Sequence, residues 1–344
     1  IALALMETLA DYGTVAYFAV STFTTGIYRA WFSLGDRVAA AQLAAMLLSF
    51  VLFLLMVERV SRGRARYHNT TGRNRPMPGA KLGGATALLA VLACATPLLL
   101  GFVLPAALLL RMALTEGDAQ FGERFLMLSR NSFVLAGITA SIGVFLALLM
   151  AYGARLSKSA FARGLNRLVG LGYAVPGAVI AVGVLIPVTR LDNWLAGQWE
   201  HWFGTNPGLL LTGGIAALIY AYLVRFLAVA LHTVESSLAK ITPNMDDAAR
   251  CLGLGQGETL RRVHAPMLRG SLFTAGLLVF VDVMKELPAT LVMRPFNFDT
   301  LATQVYTLAS DERLAEASTA SLAIVAVGLL PLIALSRQIS QARK

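Results

Sequence analysis

The sequence predicts an all-α membrane protein, a polytopic helical bundle of about eight spans, each long enough for a hydrocarbon core about 30 Å thick. Three observations predict it. The 344 residues are 57% hydrophobic and 14% charged, whereas soluble domains carry about 25% charged residues. The apolar residues gather in span-length runs separated by short polar segments. The net charge of +10 sits in basic clusters that occupy alternate loops. A positive-inside membrane pattern explains that distribution better than nucleic-acid binding does.

Taken in order, residues 1–18 read as the end of a span, 21–37 as a polar loop and 38–57 as a full span. Residues 58–82 hold Arg59, Arg62, Arg64, Arg66, Arg73, Arg75 and Lys81 together with Gly72, Pro76, Pro78 and Gly79. They read as a flexible basic linker on the cytoplasmic side. Six further spans are expected at 84–111, 131–153, 168–188, 209–231, 271–293 and 316–336. The loop with Arg155, Lys158, Arg163 and Arg167 is basic, as are the loop with Arg250, Arg261, Arg262 and Arg269 and the tail with Arg337, Arg343 and Lys344. Placing these inside puts the linker, the 243–266 loop and the C-terminus in the cytoplasm, and Trp194, Trp199 and Trp202 at the outer interface. Gly172, Pro176, Gly177, Gly183 and Pro187 fall in one span, which predicts a kinked helix packed closely on its neighbours. Cys94 and Cys251 lie far apart and imply no disulfide framework. His68, His201, His232 and His264 show no metal-ligand spacing, and no catalytic set is apparent.

The 243–266 loop is a long polar stretch flanked by apolar runs that could each span a bilayer. Thr242 suits a helix cap, Pro243 its first position, and Asp246 and Asp247 the positive end of its dipole. Met245, Ala248, Ala249 and Leu252 recur at i, i+3, i+4 and i+7, one narrow apolar face. Gly253 and Gly255 stop the helix. A second short helix is expected from about Glu258 to His264, with Pro266 opening the next apolar run.

Asp247-Ala248-Ala249, Gly253 six residues after the acid, Leu254, Val263 and Pro266 resemble the Glu-Ala-Ala…Gly…Ile-x-Leu-Pro loop of ABC importer permeases. Asp replaces Glu, Val replaces Ile and Ala265 replaces Leu, and none of these moves the spacing. The resemblance implies a type I importer permease bundle. In it, residues 243–264 form the coupling helix, which docks into a cytoplasmic ATPase subunit through Met245, Asp247, Ala248, Ala249, Leu252, Gly253, Leu254 and Pro266. It further implies a dimer of ATPase subunits, a periplasmic substrate-binding protein and a place in the bacterial inner membrane. The chain has no Gly-x-x-x-x-Gly-Lys-[Ser/Thr] loop. It is therefore expected to bind no cofactor, with ATP on the partner subunit, and to be a transport subunit, not an enzyme.

An internal repeat is also expected. Glu7-Thr8-Leu9-Ala10 is similar to Glu286-Leu287-Pro288-Ala289, Thr25-Gly26-Ile27-Tyr28 to Thr303-Gln304-Val305-Tyr306, and Arg37-Val38-Ala39-Ala40-Ala41 to Arg313-Leu314-Ala315-Glu316-Ala317. Residues 1–57 then read as the last two spans of a truncated first copy, 58–82 as the linker and 83–344 as a complete six-span second copy. The stretches from Lys285 to Ala302, from Met6 to Gly13 and from Phe23 to Tyr28 resemble the ferric-iron branch of these permeases, whose members look like two fused copies. That resemblance implies ferric iron as the cargo; thiamine and phosphonate permeases share the fused layout, so another small solute (thiamine, a phosphonate or a polyamine) is the alternative.

Asp282, Lys285 and Glu286 fall within an expected span at i, i+3 and i+4, which places them on one helix face. Each costs roughly 2.5–3.5 kcal/mol at mid-membrane, so they should face protein or a water-filled path. With Glu7 and Asp11 they are candidates for the translocation path of a cationic substrate; a salt-bridged pair that only fixes packing is the alternative. An ion-coupled secondary carrier would share the repeat and the buried carboxylates but would not need a docking loop of this spacing.

Overall fold

The computed structural model describes residues 2–62, 82–116, 122–157 and 159–342. Most of the expected linker, together with Lys158, Arg343 and Lys344, lies outside the described residues. All regular structure among the described residues is helical. The chain opens with α1 (Ala2–Ala10), α2 (Gly13–Tyr17) and α3 (Phe23–Tyr28), then a π turn at Arg29–Ser33 and the long α4 (Arg37–Arg62). Next come α5 (Gly84–Leu98) and α6 (Leu104–Thr115), joined through a π turn, and α7 (Glu123–Leu156). They are followed by α8 (Ala160–Gly170), a 3-10 turn at Gly172–Ala174, α9 (Gly177–Phe203) and α10 (Ala216–Leu238). The last part comprises α11 (Pro243–Cys251), α12 (Gln256–Thr259), a π turn at Leu260–His264, α13 (Ala265–Met284), α14 (Pro288–Met293), α15 (Leu301–Ser310) and α16 (Leu314–Ala342).

Seven helical stretches among the described residues are long and apolar enough to cross a membrane: Arg37–Glu58, Gly84–Thr115, Glu123–Leu156, Gly177–Phe203, Ala216–Leu238, Gln256–Met284 and Leu314–Ile333. The eighth expected span, residues 1–18, is instead the short pair α1 and α2. The break falls at Asp11-Tyr12, where the Tyr12 ring stacks on Tyr28 at 3.8 Å and its hydroxyl meets that of Tyr306 at 2.8 Å. Those tertiary contacts outweigh local continuity of the apolar run.

Three expected boundaries move for local reasons. The span placed at 168–188 starts later, at Gly177. Its first half forms α8 and the 3-10 turn, because Pro176 cannot continue a helix from the preceding residues. Gly172 there packs so closely on α10 that a Cβ would strike the Val224 carbonyl. Trp194, Trp199 and Trp202, placed in a loop by sequence, lie on the second half of α9 and are exposed. The span placed at 271–293 ends at Met284, so Asp282, Lys285 and Glu286 do not share a continuous helix face: Lys285 caps α13 and Glu286 lies in the break before α14. Pro288 ends the first helix and starts the second.

The main core forms where α7, α10 and α13 pack on one another, around Leu135, Leu218, Tyr222, Leu231 and Val279. A second core joins α3 and α4 to α9 through Ile27, Leu47, Ala178 and Val182. Small residues at these contacts let the backbones approach closely, the usual solution where lipid removes the hydrophobic drive for helix association. The two helices α3 and α15 start in the same way. Thr22 and Thr25 form a capping box at one, Thr300 and Thr303 at the other.

Candidate functional site

Two places in the bundle gather the chemistry-bearing residues. At one end, α11 lies across the ends of α7 and α10. Gly253 adopts φ +80°, in the left-handed region, and turns the chain sharply toward α12. The expected apolar face divides. Ala249 is turned inward and buried, whereas Met245, Ala248 and Leu252 are exposed, Leu252 at 80%. Leu254 is half-buried. Asp247 is exposed and paired only with Arg250 at 3.3 Å. Thr242 sits at the cap position without a side-chain capping bond. From Gln256 the chain runs on through the π turn into α13, with Pro266 exposed in its first turn, so the second short helix and the next span form one run.

The residue that fixes α11 is Asp246, which sequence reading credited only with a dipole effect. Its Oδ2 accepts from Arg155 Nε at 3.0 Å and Nη2 at 2.7 Å. The same guanidinium donates to the carbonyl of Leu238, the last residue of α10, at 2.8 Å and to that of Ile241, just beyond the helix, at 2.9 Å. His264, fully buried, brings Nε2 within 2.8 Å of Asp246 Oδ1. Tyr152 stands edge-on to His264 and donates to the Gln256 carbonyl at 2.9 Å.

α10 spans 23 residues from Ala216 to Leu238, a rise of about 34 Å, so its Trp-side start lies far from this loop. Between the two ends sits a cavity of about 390 Å³ lined by all five sequence-derived path candidates, Glu7, Asp11, Asp282, Lys285 and Glu286. Arg225 and Tyr173, which sequence reading missed, line it too. Arg225 is the lone charge in the apolar run of α10, and that isolation was the available signal.

These charges are not equivalent. The Glu286 carboxylate is buried and accepts from the backbone N–H of Ala289 at 3.1 Å and of Thr290 at 3.2 Å, closing the first turn of α14. Arg225 Nη1 meets it at 3.2 Å. Gly177 makes room for that pair, since a Cβ there would run into Glu286, Arg225 and Pro288. Lys285 pairs with Asp282 at 3.0 Å. Glu7 and Tyr173 line the same side of the cavity with Arg225. Among the described residues neither Glu7 nor Asp11 has a cationic partner, and four carboxylates face two cations in the lining. The cavity lining therefore carries a net negative formal charge. Tyr12 lines this cavity and also a second one, of about 640 Å³, beside Tyr28 and Tyr306. No cluster of three or more His, Cys, Asp or Glu with metal-binding geometry occurs among the described residues.

This chain is similar to known transport proteins. The Fe(3+)-transport system permease protein FbpB 2 of Haemophilus influenzae is 26% identical over 337 residues, 96% of this chain and 63% of that protein. The chain thus spans less than two thirds of that relative's length. The putative 2-aminoethylphosphonate transport system permease protein PhnV of Salmonella typhimurium is 26% identical over 204 residues, 59% of this chain and 67% of that protein. A chain from the crystal structure of a bacterial alginate ABC transporter, in complex with an alginate pentasaccharide-bound periplasmic protein, shares the fold with a TM-score of 0.56 at 18% identity. That match covers 74% of this chain and 94% of the other. Residues 143–343, more than half of the sequence, match the family described as binding-protein-dependent transport system inner membrane component. With its polytopic helical bundle and the loop beginning at α11, the chain belongs to that family of ABC importer permeases.

Proposed function

We propose that this chain is the membrane-spanning permease part of an ATP-driven importer that moves ferric iron from a periplasmic binding protein to the cytoplasm. The observation that carries the docking role is the exposed stripe Met245, Ala248 and Leu252 on a helix tied from behind through Asp246 to Arg155 and His264. A solvated loop helix would turn those residues inward. In this reading α11 seats in the cleft of one subunit of an ATPase dimer, which binds and hydrolyses the ATP; the chain itself binds no cofactor. The loop and the C-terminus lie in the cytoplasm.

The paired capping boxes of α3 and α15 support a chain built from two related copies, with 1–57 closing the first and 83–344 forming the second. The net negative cavity favours a cationic cargo. Glu7 and Asp11 are the carboxylates free to attract it, while Glu286 is occupied in holding α14. Similarity to an Fe(3+) permease over 96% of the chain favours iron. A second reading, an aminophosphonate cargo, rests on the shorter PhnV match.

The test is uptake by membrane vesicles that contain the full-length protein with its ATPase and binding protein. Radiolabelled ferric iron and 2-aminoethylphosphonate are supplied with and without ATP, in wild type and Gly253→Asp. ATP-dependent iron uptake that is lost in the variant is expected. Preference for the phosphonate overturns the iron assignment, and uptake indifferent to ATP overturns the importer reading.

A further inference from the structure

Arg155 binds three separate elements at once. It sits in the last turn of α7, donates to the carbonyls of Leu238 at the end of α10 and of Ile241 just beyond it, and grips Asp246 of α11 with two nitrogens. The carbonyls at a helix end have no partner within the helix, so a donor there supplies bonds the helix cannot. Asp246 in turn faces His264, where the run into α13 begins. The guanidinium and the carboxylate are both largely buried, with side chains 18% and 14% exposed. By contrast, the other charge pairs of the loop, Asp247–Arg250 and Glu258–Arg262, are open to solvent on both sides. Among the described residues, the Arg155–Asp246 pair is therefore the largely buried ion pair that joins the loop to the bundle.

We propose that Arg155 is the positioning residue that makes α11 and the near ends of α7, α10 and α13 one rigid lever, so that displacement of α11 moves the spans instead of bending the loop. This rests on the docking role proposed above for α11. A planar fork of five donors is needed to reach Asp246 and two carbonyls together; a lysine ammonium supplies one point charge and cannot span them. The same α7, α10 and α13 form the main core, and the Arg225–Glu286 pair bridges from α10 to the start of α14. A lever fixed at Arg155 thus continues into the walls of the acid-lined cavity.

The experiment uses the full-length protein with its ATPase and binding protein, in Arg155→Met, Arg155→Lys and, as a surface control, Arg262→Gln. Three quantities are read: ATPase co-purification, ATP hydrolysis, and labelled ferric iron or 2-aminoethylphosphonate carried per ATP. In Arg155→Met the ATPase still co-purifies and hydrolysis continues, while cargo per ATP falls about tenfold or more, within the 5–150-fold span of ordinary coupling energies. Arg155→Lys falls between that variant and wild type, and Arg262→Gln matches wild type. A spin label on the exposed Cys251 of α11, with Cys94 and any other cysteine of the full-length protein replaced by Ser, becomes more mobile in Arg155→Met. Unchanged cargo per ATP in a folded Arg155→Met complex overturns the lever. Loss of ATPase binding with an unchanged label also overturns it, since Arg155 then serves docking alone. If Arg155→Met fails to fold, Arg155→Lys and Asp246→Asn carry the same test. Failure of the ATPase to co-purify with wild type is a different result, which removes the docking role itself.

Discussion

The two ends of the functional region solve opposite problems. Around the cavity, charges lie within apolar surroundings, and most are consumed by one another: Glu286 by Arg225 and the α14 backbone, Asp282 by Lys285. At the α11 loop, apolar residues lie exposed and the charge that matters is hidden behind them. The first arrangement spends polar groups on holding a broken helix within the bundle. The second spends a buried ion pair on presenting an unpartnered surface. Stability and function should therefore separate between the regions.

That separation yields graded expectations for unfolding in detergent, read by thermal melts with added denaturant. Arg225→Met leaves the Glu286 carboxylate buried without its cation and should cost about 3–5 kcal/mol. Gly177→Ala forces a methyl group into the same pair and should cost about 1–3 kcal/mol through overpacking. A Gly177→Ala protein as stable as wild type would sink the close approach described here. Thr300→Ala removes the α15 capping bond and should cost about 1 kcal/mol. Leu252→Glu changes an exposed side chain and should stay within about 0.5 kcal/mol of wild type. It should nonetheless weaken ATPase binding by about 2 kcal/mol, the scale of a hot-spot residue. Loss of stability in Leu252→Glu with intact binding would reverse the comparison.

The same contrast governs what the sequence reveals. The α11 loop is local: its cap position, alanines, Gly253 and Pro266 sit at fixed spacings within one stretch, so the short helix and the turn that ends it are legible. Its anchor is not, because Arg155 is 91 residues from Asp246 and looks like one more loop cation. The spans are legible as apolar runs, yet their ends are set by Pro176, Pro288 and the Tyr12–Tyr28 stack. The cavity draws on α1, α10, α13 and the 3-10 turn. Glu7, Asp282 and Glu286 stand out as charges in apolar surroundings, whereas Tyr173 carries no such mark.

The exposed face of α11 is proposed to seat against a partner ATPase. The native Cys251 thiol is exposed on that helix and offers a direct probe. With Cys94 replaced by Ser, maleimide labelling of Cys251 is measured with and without the bound ATPase, in wild type and Leu252→Glu. The bound ATPase should protect Cys251 in wild type, and Leu252→Glu should restore labelling. Labelling of Cys251 at the same rate with the ATPase fully bound would contradict that seating.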